Sequence, residues 1–198
     1  ISLQLIYINV GIFVVTTLIS VFLMLFNWDA TSWLQYLELP AWLPLFLKQP
    51  WSLVTYMFLH AGALHLLFNM LWLYWFGQLF LSLYSARHFR GLYILGGLCG
   101  GLLYMLAYNV FPYFSNYLYG SFLLGASASV LAIVVATAVR SPEYRVNFMF
   151  VGAVRLKYVA LFVVLTDLLF VTSGNGGGHI AHSGGALAGW WFARSLQK

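Results

Sequence analysis

Charge is what this sequence has least of. Only 7% of its 198 residues are Asp, Glu, Lys or Arg, while 63% are apolar; a soluble domain carries roughly a quarter charged. So few charges cannot cover the surface of a water-soluble protein of this length, and one core cannot hide so much apolar material. An ordinary soluble domain is excluded, and lipid is the solvent for most side chains. Cysteine is down to one, Cys99, in the stretch Gly96-Gly97-Leu98-Cys99-Gly100-Gly101. A lone thiol excludes an intramolecular disulfide and reads as a small buried hydrophobe. No charge run, low-complexity tract or Pro/Ser linker divides the chain, so residues 1–198 read as one domain. The net charge of +5 sits in short loops rather than on a polar face, which argues against a nucleic-acid partner. Residue 1 is Ile1, not Met, and we expect a trimmed segment before it, with room for an extramembrane N-terminal domain.

What the chain does have is long apolar runs. A spanning helix needs about 20 apolar residues, and runs of this kind cover residues 3–26, 51–84, 92–111, 121–139, 158–171 and 179–192. The first is too long, and lacks the basic start, for a cleavable signal peptide. Residues 27–50 differ: Asp29, Glu38, Lys48 and three prolines are interleaved with Trp28, Trp33, Tyr36 and Trp42, the composition of a segment lying in the membrane interface. The expected fold is therefore an all-α bundle of six transmembrane helices, with an interfacial loop segment between spans one and two. Arg87, Arg90, Arg140, Arg145, Arg155, Lys157, Arg194 and Lys198 fall on one side and Lys48 on the other. The excess of basic residues marks the cytoplasmic side, so both termini are expected there.

Polar side chains at membrane depth are costly and each needs a reason. They are His60, His65 and Asn69 on span two, Ser127 and Ser129 on span four, Asp167 on span five, and His179 and His182 on span six. Counting from the cytoplasmic arginines at 1.5 Å per residue, Ser127 lies about 20 Å from Arg140, His182 about 18 Å from Arg194 and Asn69 about 27 Å from Arg87. His65 precedes Asn69 by one turn and shares its face. One outward layer thus gathers a serine, a histidine and two further hydrogen-bonding groups. Ala128, Ala132 and Ala136 on span four, and Gly185 and Gly189 on span six, form small-residue stripes that let helix backbones approach. If the two stripes meet, Ser127 and His182 come within hydrogen-bonding range.

Serine needs a base to become a nucleophile, and histidine has the pKa for that work. Gly125-Ala126-Ser127-Ala128 opens a helix after an aromatic loop. Gly125 permits a tight turn there, and N–H groups at the helix start can stabilise an oxyanion. His65 and Asn69 can add donors. A substrate helix must unwind to expose its carbonyls, and water must reach the site from the outer face.

Three motifs together, His65-Leu66-Leu67-Phe68-Asn69, Gly125-Ala126-Ser127-Ala128 and Ala181-His182-Ser183-Gly184-Gly185-Ala186-Leu187-Ala188-Gly189, resemble those of rhomboid intramembrane serine proteases of the six-span bacterial type. The resemblance covers nearly the whole length and makes residues 1–198 a single rhomboid-type transmembrane domain. It implies that Ser127 is the nucleophile and His182 the general base of a dyad, with His65, Asn69 and the Ser127 N–H as the oxyanion hole. It also implies cleavage of transmembrane protein substrates near their outer end, without metal or cofactor, in a bacterial inner (plasma) membrane. Trp51 matches the tryptophan of the family's Trp-Arg loop motif. Three positions depart from the pattern: Ser52 stands for the arginine, Leu81 for a glutamate that often ends span two, and Leu131 for an aromatic that commonly stacks on the histidine. His182 must then be oriented by other packing.

Blander readings apply elsewhere. Ser129 is expected to bond back to its own backbone, His179 to be a loop-end residue near water, and His60 to be interfacial or to line the water path. Asp167, about 15 Å beyond Lys157, is expected to be neutral or hydrogen-bonded for structural reasons; a third place in a Ser-His-Asp triad is the alternative. Gly176-Gly177-Gly178 has no preceding strand or phosphate-loop lysine and reads as flexibility at the mouth of span six. Rival functions are a small polytopic transporter, which would show a polar path across the membrane, a metal site from His65, His179 and His182, which lacks a His-Glu-x-x-His pattern, and a catalytically inactive rhomboid-like client-binding protein.

Overall fold

A computed structural model describes residues 2–148, 150–172 and 175–196. Ile1 and Lys198 lie outside the described residues, as do Ser173 and Gly174 of the glycine-rich turn. Six helices of 14 residues or more are present among those described: α1 (Ser2–Leu25), α2 (Ala63–Leu83), α3 (Ala86–Val110), α4 (Ser127–Arg140), α5 (Leu156–Leu169) and α6 (Gly176–Ser195). Three of these, α1 from Leu3, α2 and α3, are long and apolar enough to cross a membrane.

The centre of the bundle is α4. Every residue from Ala128 to Ala138 is buried, and α2, α3, α5 and α6 surround the helix. Small residues make that crowding feasible. A β-carbon on Gly185 would stand 2.1 Å from the Ala128 carbonyl oxygen, and one on Gly189 would stand 2.3 Å from that of Ala132. On the α3 side, a β-carbon on Gly96 would meet the Ala132 methyl at 2.5 Å, and one on Gly100 would meet the Ala128 methyl at 2.7 Å. Backbones in such contact gain dispersion energy that lipid chains cannot match. Helix α1 packs on α2 and is pinned by buried Asn9, whose Nδ2 donates to the Leu5 carbonyl at 2.8 Å and the Tyr93 hydroxyl at 3.1 Å.

Residues 26–62 carry short helices at Ser32–Gln35, Leu43–Lys48 and Ser52–Thr55 and a 3-10 turn at Tyr56–Phe58. Side chains satisfy backbone groups here. Gln49 Nε2 donates to the Gln35 and Glu38 carbonyls at 2.8 and 3.0 Å, Trp51 Nε1 to the Tyr36 carbonyl at 2.7 Å, and Thr55 Oγ1 to the Leu37 carbonyl at 2.6 Å. Burial raises the Glu38 carboxyl above its ordinary pKa.

Three features depart from the sequence expectation. The run 51–84 is not one helix: Leu59 and Gly62 are extended, and the long helix begins only at Ala63. The run 121–139 becomes helical only at Ser127, because β2 (Phe122–Leu123) pairs antiparallel with β1 (Leu39–Pro40) and Gly125 then turns the chain with φ +126°. The Gly125 N–H donates to the Tyr56 carbonyl at 2.9 Å, so this irregular backbone is paired with protein, as a membrane interior requires. Finally, an all-α fold omits a hairpin between α4 and α5, where β3 (Arg145–Phe148) pairs with β4 (Gly152–Arg155), Val146 facing Val154. Half-buried Val146 and Phe148 alternate with exposed Arg145 and Asn147, a period-two pattern. At its base Lys157 Nζ donates to Glu143 at 2.7 Å and Arg155 pairs with the same carboxylate at 3.2 Å. The Lys157 hydrogen bond and both cations hold the Glu143 carboxyl below its usual range.

Candidate active site

Ser127 is the first residue of α4, so its N–H has no carbonyl of a preceding helical turn to bond. Its hydroxyl points at α6. Ser127 Oγ lies 2.7 Å from His182 Nε2, a register set by the contact of Gly185 with Ala128 one turn along. His182 Nδ1 lies 2.8 Å from Asp167 Oδ1 on α5, and the same oxygen lies 2.7 Å from His179 Nδ1. Asp167 is 4% exposed, and its Oδ2 has no hydrogen-bond partner among the described residues.

His65 and Asn69 approach from α2. The Ala61 N–H donates to His65 Nδ1 at 3.2 Å, which requires the ring's hydrogen to sit on Nε2 in the neutral form. That nitrogen faces the turn before the serine: a β-carbon on Gly125 would stand 2.8 Å from His65 Cε1, 3.1 Å from its Nε2 and 3.8 Å from Ser127 Oγ. Asn69, buried beside it, donates one amide hydrogen to the His65 carbonyl at 2.9 Å.

Two openings reach the Ser127–His182 pair. A cavity of about 520 Å³, lined by His65, Asn69, Tyr104, Ser121, Ser127 and His182 among others, runs toward the loop that precedes α4. An apolar groove of about 230 Å³ also reaches the pair, between α2, α4 and α5, lined by Phe68, Trp72, Leu131 and Val163. The pair therefore borders both a cavity with mixed polar and apolar walls and a mainly apolar groove.

The remaining polar residues stand apart. Ser129 is turned toward α3, with Oγ 3.9 Å from Met57 Sδ; that sulfur contact replaces the expected bond to its own backbone. His60 packs edge-on against His65, ring centroids 5.0 Å apart, and both its nitrogens are buried without a partner among the described residues. His179 lies in the first turn of α6 rather than in a loop, and shares Asp167 with His182. Ser52, which stands where the family's loop motif has arginine, is buried and donates to the Gln49 carbonyl at 2.7 Å. Asp167, for which a hydrogen-bonded structural role is the first expectation and a triad place the alternative, is hydrogen-bonded to both histidines of α6. Its signal was present, a carboxylate inside an apolar run, but spacing cannot fix the rotation that aims it at α6.

Asp167, His179 and His182 also present ligand atoms within 4.8 Å of one another, a set able to hold a metal ion. A metal on His182 Nδ1 would leave the ring hydrogen on Nε2, where it could not accept from Ser127. The Ser127 contact favours the hydrogen-bonded form of this cluster.

A glycine turn, a helix-opening serine and a histidine one helix away on a glycine stripe define a class of membrane-embedded fold. The family model for the Rhomboid domain matches residues 47–198, and the chain belongs to the rhomboid family. It is 28% identical over 144 residues to the Arabidopsis thaliana RHOMBOID-like protein 12, mitochondrial, a match covering 68% of this chain and 43% of that protein. It is likewise 28% identical over 138 residues to the Danio rerio Presenilin-associated rhomboid-like protein A, mitochondrial, covering 68% of this chain and 34% of the relative. The matched regions thus span less than half of each relative.

Proposed function

We propose that this chain is an intramembrane serine endopeptidase that cuts transmembrane segments of membrane proteins near their outer end. The observation that carries the reading is the 2.7 Å contact between Ser127 Oγ and His182 Nε2. Ser127 donates its hydroxyl hydrogen to His182, which takes the proton as the oxygen attacks the scissile carbonyl and then delivers it to the leaving amine. The resulting acyl-serine is released by water activated on the same nitrogen. Charge developing on the carbonyl oxygen is met by the Ser127 N–H, His65 Nε2–H and the second amide hydrogen of Asn69, donors fixed before the reaction begins. The apolar groove suits an entering transmembrane segment, and the larger cavity, with His65, Asn69 and Ser121 in its wall, suits water. Nucleophile, base and donors all come from side chains and backbone, so the mechanism calls for no metal or cofactor.

Helices α4, α5 and α6 complete six spans in this reading. At 14 residues, α4 is about 21 Å long, shorter than the roughly 30 Å hydrocarbon core, yet protein surrounds it. On α5 the exposed side chains include Leu161, Phe162, Leu165 and Leu168, and on α6 Leu187, Trp190 and Trp191; apolar surface of that extent calls for lipid. Residues 1–198 act as one domain, α1 being joined to α3 through Asn9 and Tyr93. Both termini lie on the cytoplasmic face, as the basic loops imply, and the resemblance to six-span bacterial enzymes makes that membrane a bacterial plasma membrane; the mitochondrial names belong to the relatives.

A fluorophosphonate probe tests the reading. Labelling lost in Ser127→Ala and retained in Ser129→Ala is the expected result. Failure to label the folded wild type would favour an inactive client-binding protein or a transporter, and cleavage abolished by a chelator would revive the metal site.

A further inference from the structure

We propose that Asp167 is the positioning residue for His182, making the hydrogen-bonded chain Ser127–His182–Asp167 the working unit. The proposal rests on the serine-protease reading above and extends it to a third residue. A neutral imidazole carries one hydrogen and one lone pair. An ionised carboxylate can only accept, so the 2.8 Å contact to Asp167 Oδ1 holds that hydrogen on His182 Nδ1. The lone pair is then on Nε2, facing Ser127 Oγ at 2.7 Å, the one tautomer in which His182 can act as a base. When the serine proton moves to Nε2, the imidazolium keeps its Nδ1–H toward Asp167, whose negative charge stabilises it without taking the proton.

Other neighbours do not supply this control. The α4 side chain lining the groove one turn after Ser127 is Leu131, which has no hydrogen-bonding group. Asp167 itself is anchored by a second donor. His179, one turn before His182 on α6, lies 2.7 Å from the same oxygen, so two hydrogen bonds offset the burial of a carboxylate that is 4% exposed. Buried acids without such partners are costly, and a purely apolar packing role would not call for one. Among the described residues, the titratable groups around His182 are Asp167 on α5, His179 on α6 and, lining the same cavity, His65 on α2 with Tyr104 and Tyr108 on α3.

The test compares wild type, Ser127→Ala, Asp167→Asn and Asp167→Glu on a transmembrane reporter in detergent, with melting temperature measured in parallel. Wild type equal to Ser127→Ala would defeat the protease reading itself and is seen before any Asp167 variant is considered. Given wild-type activity, Asp167→Asn is expected to lower kcat by about a hundredfold or more, leave KM near its wild-type value and move the acid limb of the pH–rate profile to lower pH, with Asp167→Glu recovering part of kcat. Folded Asp167→Asn with unchanged kcat and acid limb would overturn the proposal. Should Asp167→Asn not fold, nitrogen-15 histidine NMR of the wild type reads the tautomer directly. A hydrogen on His182 Nδ1 supports the proposal, and a neutral ring with its hydrogen on Nε2 overturns it.

Discussion

Gly185 rests directly on the backbone of Ala128: a β-carbon there would stand 2.1 Å from the Ala128 carbonyl oxygen and 2.8 Å from its carbonyl carbon. Backbone cannot yield as a flexible side chain can, so Gly185→Ala must push α6 away from α4. Overpacking of this kind costs about 1–3 kcal/mol, and it widens the distance between Ser127 and His182. Reporter cleavage is expected to fall at least tenfold (about 1.4 kcal/mol), with a lower melting temperature in detergent. Gly91→Ala, on α3 with nothing within 4 Å of the added carbon, is the control and is expected to keep full activity.

Gly125 sets the oxyanion donors. At φ +126° an alanine is strained, and its methyl would also press on the His65 ring. Gly125→Ala and His65→Ala are therefore both expected to reduce kcat by about 10²–10³, the usual effect of removing one oxyanion donor, with KM little changed. Steady-state kinetics on the reporter checks this; a rise in KM alone would assign His65 to substrate binding instead.

The two histidines of α6 have different expected fates. His182→Ala abolishes cleavage, because no other base reaches Ser127 among the described residues. His179→Ala leaves most of it, since Asp167 keeps its bond to His182. Ser129→Ala, which loses only a contact with Met57, is neutral. Turnover measured for the three variants separates these outcomes, and survival of His182→Ala beside loss in His179→Ala would mean the base is the other histidine.

The sequence carried the chemistry further than the backbone. Residue type, depth and spacing to the small-residue stripes single out Ser127, His65 and Asn69, and the choice of His182 over His179 comes from the family resemblance; the four line one cavity. Asp167 was visible as a costly carboxylate, but its partners lie 12 and 15 residues away, beyond a turn, and helix rotation is set by packing. The late start of α4 was hidden because Ser121 to Ala126 are as apolar as a helix interior; what stops the helix is a pairing with Leu39 and Pro40 far back in the chain. The hairpin before α5 was missed for a different reason. Its alternation of Val146 and Phe148 with Arg145 and Asn147 spans four residues, and the arginines were read as topology markers alone.

The most direct measurement is cleavage of a transmembrane reporter in liposomes by wild type and by Ser127→Ala, with intact folding of both established by their melting curves. Cleavage by wild type alone is the expected result. Equal cleavage by both proteins would remove Ser127 from the mechanism and contradict the reading of this chain as a serine protease.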